Sequence, residues 1–110
     1  MTIAEIKPFL EQLTKGLAAQ FGPKCEVVVH DLTHGLESTI IFIENGNVTG
    51  RKKGDGASSI VERAIQNPET ATDSAGYLTR TQDGRLLKSS SIYVKDKDGK
   101  LIALLSINYD

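Results

Sequence analysis

Apolar residues recur at Ile3, Ile6, Leu10, Leu13, Leu17 and Phe21, the three-and-four spacing that places them on one face of an α-helix. Thr2 followed three residues later by Glu5 has the form of a capping box, and Gly22-Pro23 closes the segment. Pro8 removes a backbone donor, which favours a regular helix beginning near Lys7 with the proline in its first turn; a kinked helix is the alternative. The pattern then changes. Cys25 to Asp31 and Thr39 to Asn45 are β-branched runs separated by turn formers, and so predict two strands that pair. Gly46 to Gly56 is glycine-rich and carries Arg51-Lys52-Lys53, after which Ser58, Ser59, Ile60, Val61, Ala64 and Ile65 return to helical spacing. Asn67 to Ala75 reads as a polar loop. Tyr77 to Thr81, Arg85 to Asp96 and Lys100 to Asp110 alternate as strands, with Asp83-Gly84 and Asp98-Gly99 as hairpin turns. The order predicts an α+β fold: an N-terminal helix, two strands, one or two short helices, then three strands of an antiparallel sheet.

The last hairpin permits a register calculation. With Lys97-Asp98-Gly99 as a three-residue loop and Gly99 left-handed, Asp96 faces Lys100, Ile92 faces Leu104, Ser90 faces Ser106 and Lys88 faces Asn108. One face then carries an apolar patch of Val94, Ile92, Ile102 and Leu104 with a polar end. The other carries Tyr93, Leu87, Leu101, Ala103, Leu105 and Ile107, so neither face suits water. Helices, a partner subunit or both must cover them, which leads us to expect a homodimer.

Composition narrows the function classes. With 110 residues the chain has room for one compact domain, expected over 1-110, and 39% hydrophobic residues plus 10 glycines fit an ordinary globular protein. A net charge of -1 gives no electrostatic reason to seek nucleic acid or an anionic membrane. The single cysteine, Cys25, cannot form an internal disulfide, and the N-terminus lacks the basic start and apolar run of a signal peptide. A cytoplasmic location is expected, with no membrane span.

Three blocks carry a resemblance. Glu26 to Leu32 (Glu-Val-Val-Val-His-Asp-Leu), Asn45 to Arg51 (Asn-Gly-Asn-Val-Thr-Gly-Arg) and Leu87 to Val94 (Leu-Lys-Ser-Ser-Ser-Ile-Tyr-Val), with Ile-Asn-Tyr-Asp downstream, resemble the signatures of the YheO-like PAS domain. The resemblance implies a PAS-like five-stranded sheet and a sensory or dimerising role in a bacterial transcriptional regulator. It also implies a C-terminal helix-turn-helix for DNA, which these 110 residues do not contain. Ala103 and Ser106 stand where the family usually has glycine and cysteine.

The chemistry-bearing residues point to binding rather than catalysis. His30, Asp31 and His34 fall short of a spaced metal-ligand set, so no metal is expected. The glycines around Arg51 match neither the Walker spacing nor the dinucleotide fingerprint, and no cofactor is expected. No nucleophile elbow surrounds Ser89 to Ser91, and adjacent His30 and Asp31 point to opposite faces of a strand, so no catalytic set assembles. Cys25, beside Glu26, reads as a structural thiol. The polar end of the hairpin is the candidate site: Lys88, Ser90, Ser106 and Asn108, with Arg51 over it and His30 or Asn45 approaching from neighbouring strands. Buried polar groups of this kind need partners. A small polar or anionic metabolite is the expected one, with ordered water and a ligand-free interaction module as the alternative.

Overall fold

A computed structural model describes residues 2–56 and 59–110. In chain order the elements are α1 (Ile3–Phe21), β1 (Cys25–Asp31), β2 (Ile40–Glu44), α2 (Ser59–Gln66), β3 (Ser74–Arg80), β4 (Leu86–Lys95) and β5 (Leu101–Tyr109). Short 3-10 turns at Gly46–Val48 and Pro68–Thr70 lie on either side of α2. The strands form one antiparallel sheet in the order β2-β1-β5-β4-β3, the α+β architecture that the hydrophobic pattern predicts. Ser58, expected in the second helix, lies outside the described residues.

α1 begins at Ile3 and not near Lys7. Thr2 Oγ1 accepts from the Glu5 amide at 3.3 Å while Glu5 Oε1 accepts from the Thr2 amide at 2.8 Å, so both halves of the capping box are made. Pro8 is accommodated because the acceptor it leaves without a helical donor belongs to Ala4, an exposed residue whose carbonyl water can reach. The helix stops where Gly22, at φ 87°, donates its amide back to the Ala18 carbonyl.

The β4–β5 hairpin closes as expected and then departs from the calculated register. Gly99 is left-handed at φ 82°, the Asp96 amide donates to the Lys100 carbonyl at 2.9 Å, and Lys95 pairs with Leu101. A bulge between Val94 and Lys95 then moves the pairing by one residue. Ile92 faces Leu105 rather than Leu104, Ser91 rather than Ser90 faces Ser106, and Ser89 rather than Lys88 faces Asn108. Because side chains alternate along a strand, this slip carries Lys88, Ser90, Ile92 and Val94 to the opposite face from Ser106 and Asn108. The gain is physical: Lys88 keeps its ammonium exposed, and small hydroxyls take its place beside Asn108.

The two faces are packed differently. α1 lays Leu10 and Ala18, flanked by Ile6, Leu13 and Leu17, over Val27, Val29, Ala103 and Leu105. On the opposite face Val61 and Ala64 of α2 pack with Leu32, Ala71, Leu101 and Leu104. α1 reaches β1, β2 and the adjoining part of β5, and leaves Leu78, Leu86 and Ile92 of β3 and β4 exposed at 66%, 50% and 43%.

The observed register predicts unequal costs in the hairpin. Leu104→Ala, at a fully buried position, is expected to lower stability by about 2–5 kcal/mol, and Ile92→Ala by less than about 1 kcal/mol. Urea unfolding measures both, and similar losses for the two would contradict the bulge.

Candidate functional site

The cavity arises from a mismatch of lengths. α2 has 8 residues and is about 12 Å long, whereas the 9 residues of β5 span about 30 Å. α2 therefore covers the sheet only near the β4–β5 turn. Beyond it the same face opens into a cavity of about 820 Å³, a size within the ~300–1,000 Å³ of small-molecule sites. His30 of β1, Ser106 and Asn108 of β5 and Leu87 of β4 form its sheet wall, with Tyr77 and Thr79 of β3 beside them. Thr49 and Arg51 close it from the segment after β2, Arg63 from α2, and Arg80 with Gln82 at the end of β3.

Beside Asn108 on this face, and under Arg51, lies Glu26, at 0% exposure near the start of β1. Arg51 Nη2 donates to Glu26 Oε1 at 2.9 Å, and Asn108 Nδ2 donates to the same oxygen at 2.9 Å. Glu26 Oε2 accepts from the Thr49 hydroxyl and, at 3.3 Å, from the Thr49 amide. Arg51 Nε donates to Thr49 Oγ1 at 3.0 Å, which fixes the guanidinium over the carboxylate. The chain of contacts continues across the sheet. Ser89 Oγ donates to Asn108 Oδ1 at 2.7 Å, and Thr79 Oγ1 and Ser89 Oγ lie 2.7 Å apart. Tyr77 OH and Ser91 Oγ form a second bridge at 2.6 Å. Every side-chain nitrogen and oxygen wholly shut off from solvent among the described residues is hydrogen-bonded, which leaves the free polar atoms of the wall at the cavity surface.

His30 is almost wholly buried, and its Nδ1 lies 2.9 Å from Thr39 Oγ1. Burial, with Arg51 adding to it, lowers its pKa to about 4, so the ring is neutral at pH 7. Asp31 turns instead to the amide and hydroxyl of Thr33, with His34 at 3.6 Å, so it does not join His30. Cys25 is buried, and burial followed by the charge of Glu26 raises its pKa.

Four of the residues expected at the site, His30, Arg51, Ser106 and Asn108, line this one cavity. Three do not. The bulge places Lys88 and Ser90 on the other face, where Lys88 is exposed and Ser90 Oγ accepts from the Gly76 amide at 3.0 Å. Asn45 is a structural brace: left-handed at φ 57°, it donates Nδ2 to the Gly22 and Cys25 carbonyls at 3.1 and 2.8 Å. The pattern reading did not single out Glu26, Thr49, Tyr77, Thr79 or Arg63. Glu26 left a signal, since a carboxylate inside a β-branched strand that pairs on both sides must find a cation, and Arg51 is in the adjoining block.

A family model described as the YheO-like PAS domain matches residues 1–110. The chain is 36% identical over 100 residues to the uncharacterised protein YheO of Escherichia coli strain K12, covering 89% of this chain and 41% of that protein. It is 30% identical over 96 residues to the transcriptional regulator DauR of Pseudomonas aeruginosa, covering 87% of this chain and 43% of DauR. The chain thus spans less than half the length of these two curated relatives. Among solved structures, the PAS domain of the fruit-fly ELK potassium channel superposes with a TM-score of 0.53 at 13% identity, over 87% of this chain and 94% of that one. At that identity the likeness is one of fold. No helix among the described residues is long and apolar enough to cross a membrane.

Two measurements test the buried network. Arg51→Met is expected to lower stability at pH 7 by about 2–4 kcal/mol, because it leaves Glu26 as an unpaired buried charge, and Glu26→Gln in that background is expected to recover part of the loss. An Arg51→Met protein as stable as the parent would show that Glu26 is not held as a charge. For His30, the folded pKa near 4 lies below the unfolded 6.5, so the unfolded chain takes up the proton first as pH falls and stability drops across that window. At about 1.4 kcal/mol per pH unit the drop is about 3 kcal/mol. Denaturant titrations between pH 7 and 4 should therefore show a shallower fall in His30→Gln.

Proposed function

Because the chain belongs to the YheO-like PAS domain family, we propose that it serves as the sensory and dimerising domain of a bacterial DNA-binding transcriptional regulator, taking up a small polar metabolite. The observation that carries this reading is the cavity of about 820 Å³ against a polar wall whose members already hold one another in place. A ligand entering it meets fixed hydrogen-bonding groups and little reorganisation, which favours selective binding. The similarity to DauR, named a transcriptional regulator, supports the regulatory context. DNA contact is assigned to a helix-turn-helix outside residues 1–110, in keeping with a net charge of -1 here. A cytoplasmic location follows from that role.

The role is binding rather than catalysis. Both oxygens of Glu26 accept hydrogen bonds from neighbours, and His30 is a weak base at a pKa of about 4, which argues against a general base at the sheet wall. A second reading, a ligand-free interaction and dimerisation module, is favoured by one observation: Leu78, Leu86 and Ile92 share the face that α1 leaves bare.

Native mass spectrometry, with the oligomeric mass in solution at tens of micromolar measured by light scattering, separates the two readings. A dimer carrying an added small mass is the expected result. A dimer of bare chains after incubation with a metabolite extract would favour the second reading, and a strict monomer would remove the dimerising role from both.

A further inference from the structure

We propose that the cavity takes a small organic oxyanion, a carboxylate or a phosphate ester, anchored by Arg63 of α2. This rests on the sensory reading and specifies the chemistry of what is sensed. Three arginines line the cavity among the described residues, and no carboxylate does. Their situations differ. Arg51 is already matched to Glu26 and Thr49, so that pair adds no net charge to the cavity. Arg80, at the rim, donates Nη1 to the Gly84 carbonyl at 2.8 Å and so is held to the β3–β4 turn. The side chain of Arg63 makes no hydrogen bond or ion pair among the described residues, only its carbonyl accepting from the Asn67 amide, and its guanidinium keeps all its donors for an incoming group. Asp73, which comes near Tyr93 from the same side, accepts from the Tyr93 amide at 2.8 Å and does not line the cavity.

A cavity with unmatched positive charge and low-dielectric walls concentrates anions and repels cations. The guanidinium, planar and permanently charged, fits carboxylate and phosphate oxygens through paired donors. The neutral contacts are also in place. Ser106, on the sheet wall, makes no side-chain hydrogen bond among the described residues, and the second ring nitrogen of His30 has no partner there. Because His30 is neutral at pH 7, it offers a hydrogen bond without adding charge. The arrangement suits a molecule with an oxyanion at one end and an uncharged polar group at the other.

Isothermal titration with matched probes tests this. Succinate and malate serve as carboxylates, glycerol phosphate as the phosphate ester, succinamide as the neutral counterpart and putrescine as the cationic one. The wild type is expected to bind an oxyanion and to prefer it to succinamide and putrescine, with weaker binding as salt rises. The carboxylate and phosphate arms identify which oxyanion is meant. Arg63→Gln is expected to weaken the preferred oxyanion by about tenfold or more, and Arg80→Gln by less than about threefold. Unchanged thermal unfolding shows that both variants are folded. Undiminished oxyanion binding in Arg63→Gln overturns the anchor. Preference for succinamide or putrescine overturns the oxyanion while the sensory reading stands. Silence from every probe overturns the inference, and the sensory reading then stands or falls on the native mass spectrum.

Discussion

A carboxylate without solvent, Glu26, sets the terms for the polar half of this molecule. An unpaired charge there would cost several kcal/mol, so the fold has to bring a cation and further donors to it. Arg51 and Thr49 come from the segment after β2 and Asn108 from β5, three parts of the chain far apart in sequence. Asn108 can orient its amide toward Glu26 only with its oxygen elsewhere, and Ser89 of β4 supplies the donor for it. Thr79 of β3 then meets Ser89. One buried charge thereby dictates side chains on β1, β5, β4 and β3 in turn. The hydrogen-bonded row runs perpendicular to the strands, where backbone pairing already ties each strand to the next.

The same constraint explains why the two faces of the sheet have different characters. The face under α1 is closed by aliphatic packing, in which volume and shape are the whole requirement. The other face cannot be closed that way near Asn108, because an apolar cover would isolate polar groups with remaining valences. A short α2 therefore packs on Leu101 and Leu104 and ends before the polar end of β5. The open space is a product of the sheet's own chemistry. It also accounts for a fold shared at 13% identity with a channel's PAS domain: the alternation and element order suffice for the sheet, while the wall depends on a few individual residues.

Most of the architecture was legible in the hydrophobic pattern, because burial with period 3.6 or 2 is what that pattern records. All five strands and both helices exist in the expected order, although β3 begins at Ser74, inside the stretch Asn67 to Ala75 that reads as a polar loop, and the left-handed Gly84 and Gly99 mark the expected turns. The helix starts ahead of Pro8 because the Thr2 and Glu5 cap outweighs a missing donor, which costs little near an exposed N-terminus. The site was half legible. His30, Arg51, Ser106 and Asn108 are together, yet an unbulged hairpin gives Asn108 the wrong partner, and nothing in Leu101-Ile102-Ala103 announces the bulge. Asn45 fits a turn and a ligand contact equally well by residue type, and only its bonds to Gly22 and Cys25 settle which.

The extra residue of the bulge, Ile102 of β5 opposite the Val94–Lys95 step, gives the hairpin a parity. Between the Gly99 turn and Ser91 the count of residues decides whether hydroxyls or Lys88 stand beside Asn108, and through Asn108 whether Glu26 keeps a donor. Deleting or inserting a single residue in that stretch is therefore not a small local change. It would turn the outer strands over as a unit, exchanging the wet and dry sides of β4. Length changes here are tolerable in steps of two or in compensating pairs, so the hairpin should accept many substitutions while resisting frameshifted alignments of its own two arms.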